Sequence, residues 1–317
     1  MSKNMDVSKR KQSIIAGGLI SSAGIFFAKF IGLFYAVPYN SMLGTADNLA
    51  YYGVAFNIYS YLLNICTAGF PFAIATLIAK YSTRGDYQTS LLIKKLSASL
   101  MTCFGFGMMI IVILFSSPLA ALVMPDEGDS VKTMQMVLIL ISFALFFVPL
   151  LSSIRGFYQG LKHMEIYALS QVLEQVARVA FLLSASAIAV YALHTDQVWA
   201  LYFGVISTSI SAILAIMHLK LYDKKQMREL KRLAKTQEVA GNNDRREILK
   251  ELVFIAFPYL IVAILGYSDT IVNTLFLSKG LEAHGNTDAE ILLISGSINY
   301  GVLKLMSIPM ILAPGFS

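Results

Sequence analysis

Five charged side chains lie well inside apolar stretches of this sequence: Lys29, Glu174, Arg178, Asp269 and Lys304. A charge at the centre of a bilayer costs roughly 2.5–3.5 kcal/mol, so such residues face a bundle interior or an aqueous cavity and mark a function. Lys29 sits beside a stripe of small residues, Gly17, Ser21, Gly24, Ala28 and Gly32, that suits close helix packing. It is many residues from either end of its apolar run, too far to snorkel easily, and a cavity role is expected. Gln171, Glu174, Gln175 and Arg178 follow the i, i+3, i+4, i+7 pattern and share one helical face. Glu174 precedes Arg178 by four residues, the favourable order for a pair within one helix. Two readings are open: a structural ion pair tying this helix to its neighbours, or a binding site in which the guanidinium offers a remaining edge to a phosphate. Asp269 and Asn273 stand one turn apart with Thr270 beside them, and Lys304 shares a face with Ser297, Tyr300 and Gly301. Asp269 and Lys304 either pair across two helices or act as a coupling-ion carboxylate and an anion-binding ammonium. Three cations against two carboxylates suit an anionic head group.

The chemistry on offer is binding rather than bond-making. His163, His194, His218 and His284 are scattered over loops and helix ends, without HExxH spacing. A phosphate-cradling loop ending in Lys-Ser or Lys-Thr is absent. Cys66 and Cys103 lie within apolar runs and read as small, reduced packing residues without metal-site spacing. The expectation is a non-enzymatic protein that needs no cofactor and no metal.

The elements that must position these residues are membrane helices. Only 14% of the residues are charged and 56% are hydrophobic, with a mean hydropathy of +0.66; soluble domains carry about 25% charged residues. In hydrocarbon every backbone N–H and C=O must be paired, which leaves helices or a closed barrel. Barrel strands alternate apolar and polar over about ten residues, whereas Met108–Phe115 and Val137–Leu151 are continuous. The fold class is therefore all-α and polytopic, with about eight spans near 14–36, 51–79, 96–123, 134–154, 166–193, 198–219, 251–277 and 291–316. The first run is too long for a signal peptide and lacks a small-residue cleavage site.

Charge orients the bundle. Lys3, Lys9, Arg10 and Lys11 precede the first span; Lys80, Arg84, Lys94 and Lys95 follow the second; Arg155 and Lys162 follow the fourth. Lys220, Lys224, Lys225, Arg228, Lys231, Arg232, Lys235, Arg245, Arg246 and Lys250 follow the sixth, while the opposite loops carry only Lys132 and Lys279. This bias places the N-terminus in the cytoplasm, and the net charge of +6 reports orientation, not a nucleic-acid partner. Residues 222–250 form a basic linker, a helix broken at Gly241-Asn242-Asn243, suited to anionic lipid head groups. It separates a six-helix unit, 1–221, from two further helices, 251–317. The chain stops at Ser317 within or just after an apolar run, which suggests a fragment of a longer protein.

Residues 155–178 pair RGFYQG with SQVLEQVAR. That element resembles the Firmicute polysaccharide-biosynthesis membrane proteins, the group containing stage V sporulation protein B, which belong with the lipid II flippases in the multidrug/oligosaccharidyl-lipid/polysaccharide exporter superfamily. Leu33–Asn40, Ala68–Tyr81 and the Pro309-to-Pro314 stretch are similar too, so the resemblance covers nearly the whole chain. It implies about fourteen helices, two six-helix lobes with the substrate between them, and alternating access; 1–221 would be the N-lobe and 251–317 the start of a C-lobe. Lys29 falls near a functional arginine of Gram-negative lipid II flippases. Their acidic residue after the first helix and the arginines of the second are not matched, since this chain reads Asn48-Leu49-Ala50-Tyr51-Tyr52, with Asn57 and Asn64.

The resemblance implies a flippase for an undecaprenyl-diphosphate-linked saccharide. Lys29 and Arg178 would attract the diphosphate, Glu174 would orient Arg178, and Gln171 and Gln175 would line the cavity. Asp269, Asn273 and Lys304 would act in the other lobe. Alternatives are a cation-coupled drug exporter, a membrane glycosyltransferase (disfavoured by the short outer loops) and a half-transporter that assembles with a second lobe or chain.

Overall fold

The computed structural model of the protein describes residues 26–27, 30–31, 35–124, 128–242 and 244–302. Lys29, Lys304, the Pro309-to-Pro314 stretch and most of the first and eighth predicted spans lie outside them. The described chain is helical without strands: α1 Ala36–Leu43, α2 Ala46–Thr67, α3 Phe70–Thr83, α4 Tyr87–Leu114, α5 Ser116–Val123, α6 Asp129–Gly160, α7 Met164–Ala187 with a π turn Ile188–Ala192, α8 Val198–Thr236, α9 Arg245–Gly266, α10 Ser268–Ala283 and α11 Asp288–Gly296 with a π turn Ser297–Val302. Among the described residues six stretches are long and apolar enough to cross a membrane, Ala46–Thr83, Tyr87–Leu114, Asp129–Gly160, Met164–Ala192, Val198–Tyr222 and Arg245–Ala283, and the second to seventh predicted spans fall on them.

Their ends differ from the expectation where hydropathy is a poor guide. Lys94 and Lys95, read as connection, lie within α4, and Arg155 lies within α6. The ammonium of Lys94 sits 4.6 Å from the centroid of the Phe157 ring, so an aromatic face carries the charge into the helix. The second span is two helices. Gly69 between them has φ +69°, and a Cβ there would lie 2.5 Å from Cβ of Tyr259 on α9; glycine meets both the left-handed backbone and the close approach. Pro71 follows Phe70 in the first turn of α3, where its missing N–H costs nothing. The third span breaks at Phe115 and the seventh at Tyr267.

The basic helix expected after the sixth span is the uninterrupted end of α8. Its 39 residues make a rod about 58 Å long, well beyond a hydrocarbon core of about 30 Å. The non-helical segment that follows is pinned to the start of α4. Gln237 Oε1 accepts from the backbone N–H of Tyr87 and Gln88, both at 2.9 Å, and the Asn242 N–H donates to Thr89 Oγ1 at 2.7 Å. Beneath them Asp86 caps α4, accepting from the Thr89 N–H at 3.0 Å.

α6 runs through the middle, in contact with α2, α3, α4, α5, α7 and α8. Glycine lets the backbones close up: Cβ atoms at Gly105 and Gly160 would lie 2.5 Å from the Leu145 carbonyl and 2.6 Å from Ile78 Cβ. Two apolar clusters fill the bundle. One joins Tyr39, Leu43, Ile58, Leu138, Leu145 and Leu201; the other, towards the basic loops, joins Ile74, Ile78, Ile93, Phe157, Ile216 and Leu252. Tyr39 is fully buried and donates to the Ala200 carbonyl at 3.0 Å, tying α1 to α8.

Candidate functional site

α7 presents Gln171, Glu174, Gln175 and Arg178 on one half-buried face, as their spacing requires. Arg178 is the midpoint of the Met164–Ala192 stretch, the depth at which a charge is most costly. Its Nη2 donates to Gln175 Oε1 at 2.7 Å, and its guanidinium carbon stands 5.8 Å from the centroid of the Tyr35 ring, a cation–π distance. Its Nε is shielded and meets no hydrogen-bond acceptor among the described residues. Tyr35, Tyr52, Glu174 and Tyr59 are its electrostatic neighbours. Tyr52 and Tyr59 lie two turns apart on α2, joined through Phe56, with ring centroids 5.8 and 5.6 Å apart. The result is a cation set in a wall of aromatic rings and amides.

Glu174 does not pair with Arg178. Its Oε2 lies 2.8 Å from Nη2 of Arg155, with 15% and 11% of the two side chains exposed. Arg155 Nε donates to Ser170 Oγ at 2.8 Å, and Ser170 donates to the Tyr167 carbonyl at 2.9 Å. The reason is the hairpin between α6 and α7. It turns at Leu161–His163, with Lys162 at φ +64°, and brings the end of α6 beside the start of α7. Spacing along one helix cannot show such a partner. The conspicuous pairing of RGFYQG with SQVLEQVAR was the available signal, since it holds Arg155, Ser170 and Glu174 together.

A second polar group joins α2 to the later helices. Asn57 Nδ2 donates to Asn299 Oδ1 at 2.9 Å and to Thr274 Oγ1 at 3.3 Å, and Thr274 and Asn299 are buried. Asn57 lies on the side of α2 away from Tyr52 and Tyr59, so this helix separates the two polar groups. Ser278 adds a bond from α10 to the Val123 carbonyl at 2.6 Å. At the basic end, Lys80 of α3 pairs with Glu251 of α9, beside Tyr81, in an open groove of about 850 Å³. Asp269 and Asn273 are exposed on α10, with Thr270 Oγ1 3.5 Å from Asp269 Oδ1; the structure does not bring them to Arg178. His/Cys/Asp/Glu groups able to hold a metal are absent among the described residues.

Comparison with known proteins gives this arrangement a context. The chain is 31% identical to the lipid II flippase MurJ of Bacillus subtilis over 314 residues, 96% of this chain and 56% of the flippase. It is 28% identical to stage V sporulation protein B of Bacillus subtilis over 171 residues, 53% of this chain and 32% of that protein. It thus spans about half, or less, of the length of these relatives. Among solved structures, a eukaryotic MATE transporter superposes with a TM-score of 0.64 at 14% identity, covering 96% of this chain and 64% of that one. The inward-facing form of a multidrug resistance MATE family transporter of the MOP superfamily superposes with a TM-score of 0.61 at 15% identity, covering 94% and 60%. These likenesses show the fold, a multi-pass helical membrane bundle. A family profile described as polysaccharide biosynthesis protein matches residues 14–317, and the chain belongs to that family.

Proposed function

We propose that this chain supplies the first lobe, and the start of the second, of a flippase that moves an anionic, diphosphate-linked saccharide lipid across the cell membrane. The observation that carries this reading is Arg178: a cation at mid-membrane that makes no ion pair among the described residues and faces aromatic rings. A guanidinium fork in a low-dielectric wall suits a phosphate, and the tyrosines and glutamines offer hydroxyls and amides to a sugar. The sign of the charge disfavours a cationic drug. The likeness to the Bacillus subtilis lipid II flippase over nearly the whole chain supports the same substrate class.

On this reading the face with the basic loops is cytoplasmic, residues 1–221 are one lobe, 222–250 the linker and 251–317 the beginning of the other. Lys29 joins Arg178 at the diphosphate, and Gln171 and Gln175 line the cavity. Lys304, Asp269 and Asn273 serve in the second lobe, the last two at a coupling ion. The remainder of that lobe is a required partner. The protein transports and does not make or break bonds.

The test is complementation in a strain depleted of the endogenous protein, with lipid-linked precursor accessible on the outer leaflet as readout. Arg178→Ala is expected to cut accessible precursor at least roughly tenfold, the loss expected for one charge-assisted contact, at unchanged membrane abundance. Full activity of that variant sinks the anion-site reading.

A further inference from the structure

We infer that Arg155 is a positioning residue that sets the charge of the cavity by holding Glu174 away from Arg178. The inference rests on the anion-site reading above and concerns a residue that reading does not use. On α7 alone, Glu174 and Arg178 are four residues apart in the order that favours pairing, and a pair there would cancel the cavity cation. The structure shows the competition resolved the other way. Glu174 is 2.8 Å from Arg155 across the α6–α7 hairpin. Arg155 is itself fixed by Ser170 at 2.8 Å, and Ser170 by the Tyr167 carbonyl. Among the described residues Arg178 makes no ion pair: it donates to the neutral amide of Gln175 and lies by the Tyr35 ring, with Glu174 acting on it only from a distance.

Two cations thus share one carboxylate, and the hairpin decides which is neutralised. Arg155 and Glu174 are both nearly enclosed, so their attraction is weakly screened. Arg178 Nε is shielded and meets no acceptor among the described residues, and Arg155 Nη2 holds Glu174 as an ion pair at 2.8 Å rather than by an aligned hydrogen bond. Removing Arg155 would leave Glu174 uncompensated inside the bundle. The nearest cation on its own helix is Arg178, and the carboxylate would turn to it and occupy the fork that an incoming phosphate needs. The ligand class follows: an anion of the diphosphate type, bound by a cation whose availability is set from the neighbouring helix.

The experiment uses the full chain, purified in nanodiscs of neutral lipid, with undecaprenyl diphosphate as probe and undecaprenol as the uncharged control. Wild type is expected to prefer the diphosphate. Arg155→Gln is expected to bind it roughly tenfold or more weakly. Arg155→Gln with Glu174→Gln is expected to recover most of that affinity, because the competing carboxylate is gone. Arg178→Gln is expected to be weak with or without Glu174→Gln. A purely structural role for Arg155 would not be rescued by removing a second charge. Arg155→Lys keeps the cation and guards against loss of folding; it is expected to bind within about threefold of wild type. Unchanged binding by Arg155→Gln, or no recovery in the double variant, overturns the assignment to Arg155. A wild type that binds diphosphate no better than undecaprenol overturns the anion site itself, and the inference with it.

Discussion

At the residue scale, one carboxylate outside the membrane bears as much on the architecture as the charges within it. Asp86 caps α4 and accepts from Thr89, Gln237 and Asn242, the last two belonging to the segment that leads into α9. Burial pushes its carboxyl up, but the hydrogen bonds from Thr89, Gln237 and Asn242 outweigh it and hold it below the usual carboxylate range. A carboxylate depressed in the folded state contributes stability that is fully present above its unfolded pKa of about 4 and is lost as pH falls through the lower folded value. Thermal melts between neutral pH and about pH 3 are therefore expected to show wild type losing more stability than Asp86→Asn. Asparagine caps a helix as well as aspartate, so the cost at neutral pH, about 1 kcal/mol, comes from replacing an acceptor oxygen that the Asn242 N–H faces by an amide nitrogen. Equal pH dependence of the two proteins would show that Asp86 does not carry the contact.

The residue-scale reading of the site was only partly open to inspection of the sequence. The stripe Gln171–Glu174–Gln175–Arg178 followed from helical spacing alone. The partner of Glu174 did not, since Arg155 lies in another helix, past the point where hydropathy ends that span. The tyrosines were also missed: Tyr35, Tyr52 and Tyr59 look like ordinary apolar filling until α2 and α7 are brought together.

At the scale of elements, the breaks matter more than the helices. At the break between α2 and α3, a Cβ on position 69 would run into Tyr259 of α9. Gly69→Ala is expected to destabilise the protein by about 1–2 kcal/mol for the left-handed backbone of a single residue, with a further loss from collision with Tyr259. Tyr259→Gly, which also removes the Cβ that stands 2.5 Å from the added methyl, should relieve only the collision. The measurement is the thermal midpoint of the single and double variants in detergent. A double variant as stable as Tyr259→Gly alone would show that the backbone conformation at Gly69 is not needed. The break at Tyr267 and the π turns after α7 and α11 left no such mark in the sequence, because hydropathy reports burial in lipid and not local winding.

At the scale of the whole molecule, α2–α3 and α9–α10 meet at both ends. Asn57 meets Thr274 and Asn299 away from the basic loops, and Lys80 meets Glu251 among them. The second and seventh spans are thus seated together along their length, with Gly69 against Tyr259 between the two polar contacts. The proposed orientation follows from the charge on one face. In intact cells, cysteine at Lys235 is expected to be protected from a membrane-impermeant thiol reagent, while cysteine at His284, on the opposite face, is expected to label. Labelling of position 235 without lysis would reverse the topology.

Much of this bundle was legible without coordinates because lipid imposes a local rule. Each spanning backbone must satisfy its own hydrogen bonds, so helical class, the position of the second to seventh spans and the clustering of basic loops can be read from runs of single residues. What the tertiary structure alone decided are the choices between partners: that Glu174 answers Arg155 and not Arg178, that Asn57 reaches Asn299 across 242 positions, and that α8 continues past the membrane to a segment stapled on Asp86. Those choices depend on which helices become neighbours and at what depth. The energy that decides them, close packing and pairing of charges in a weakly screening interior, is a property of the assembled bundle rather than of any segment.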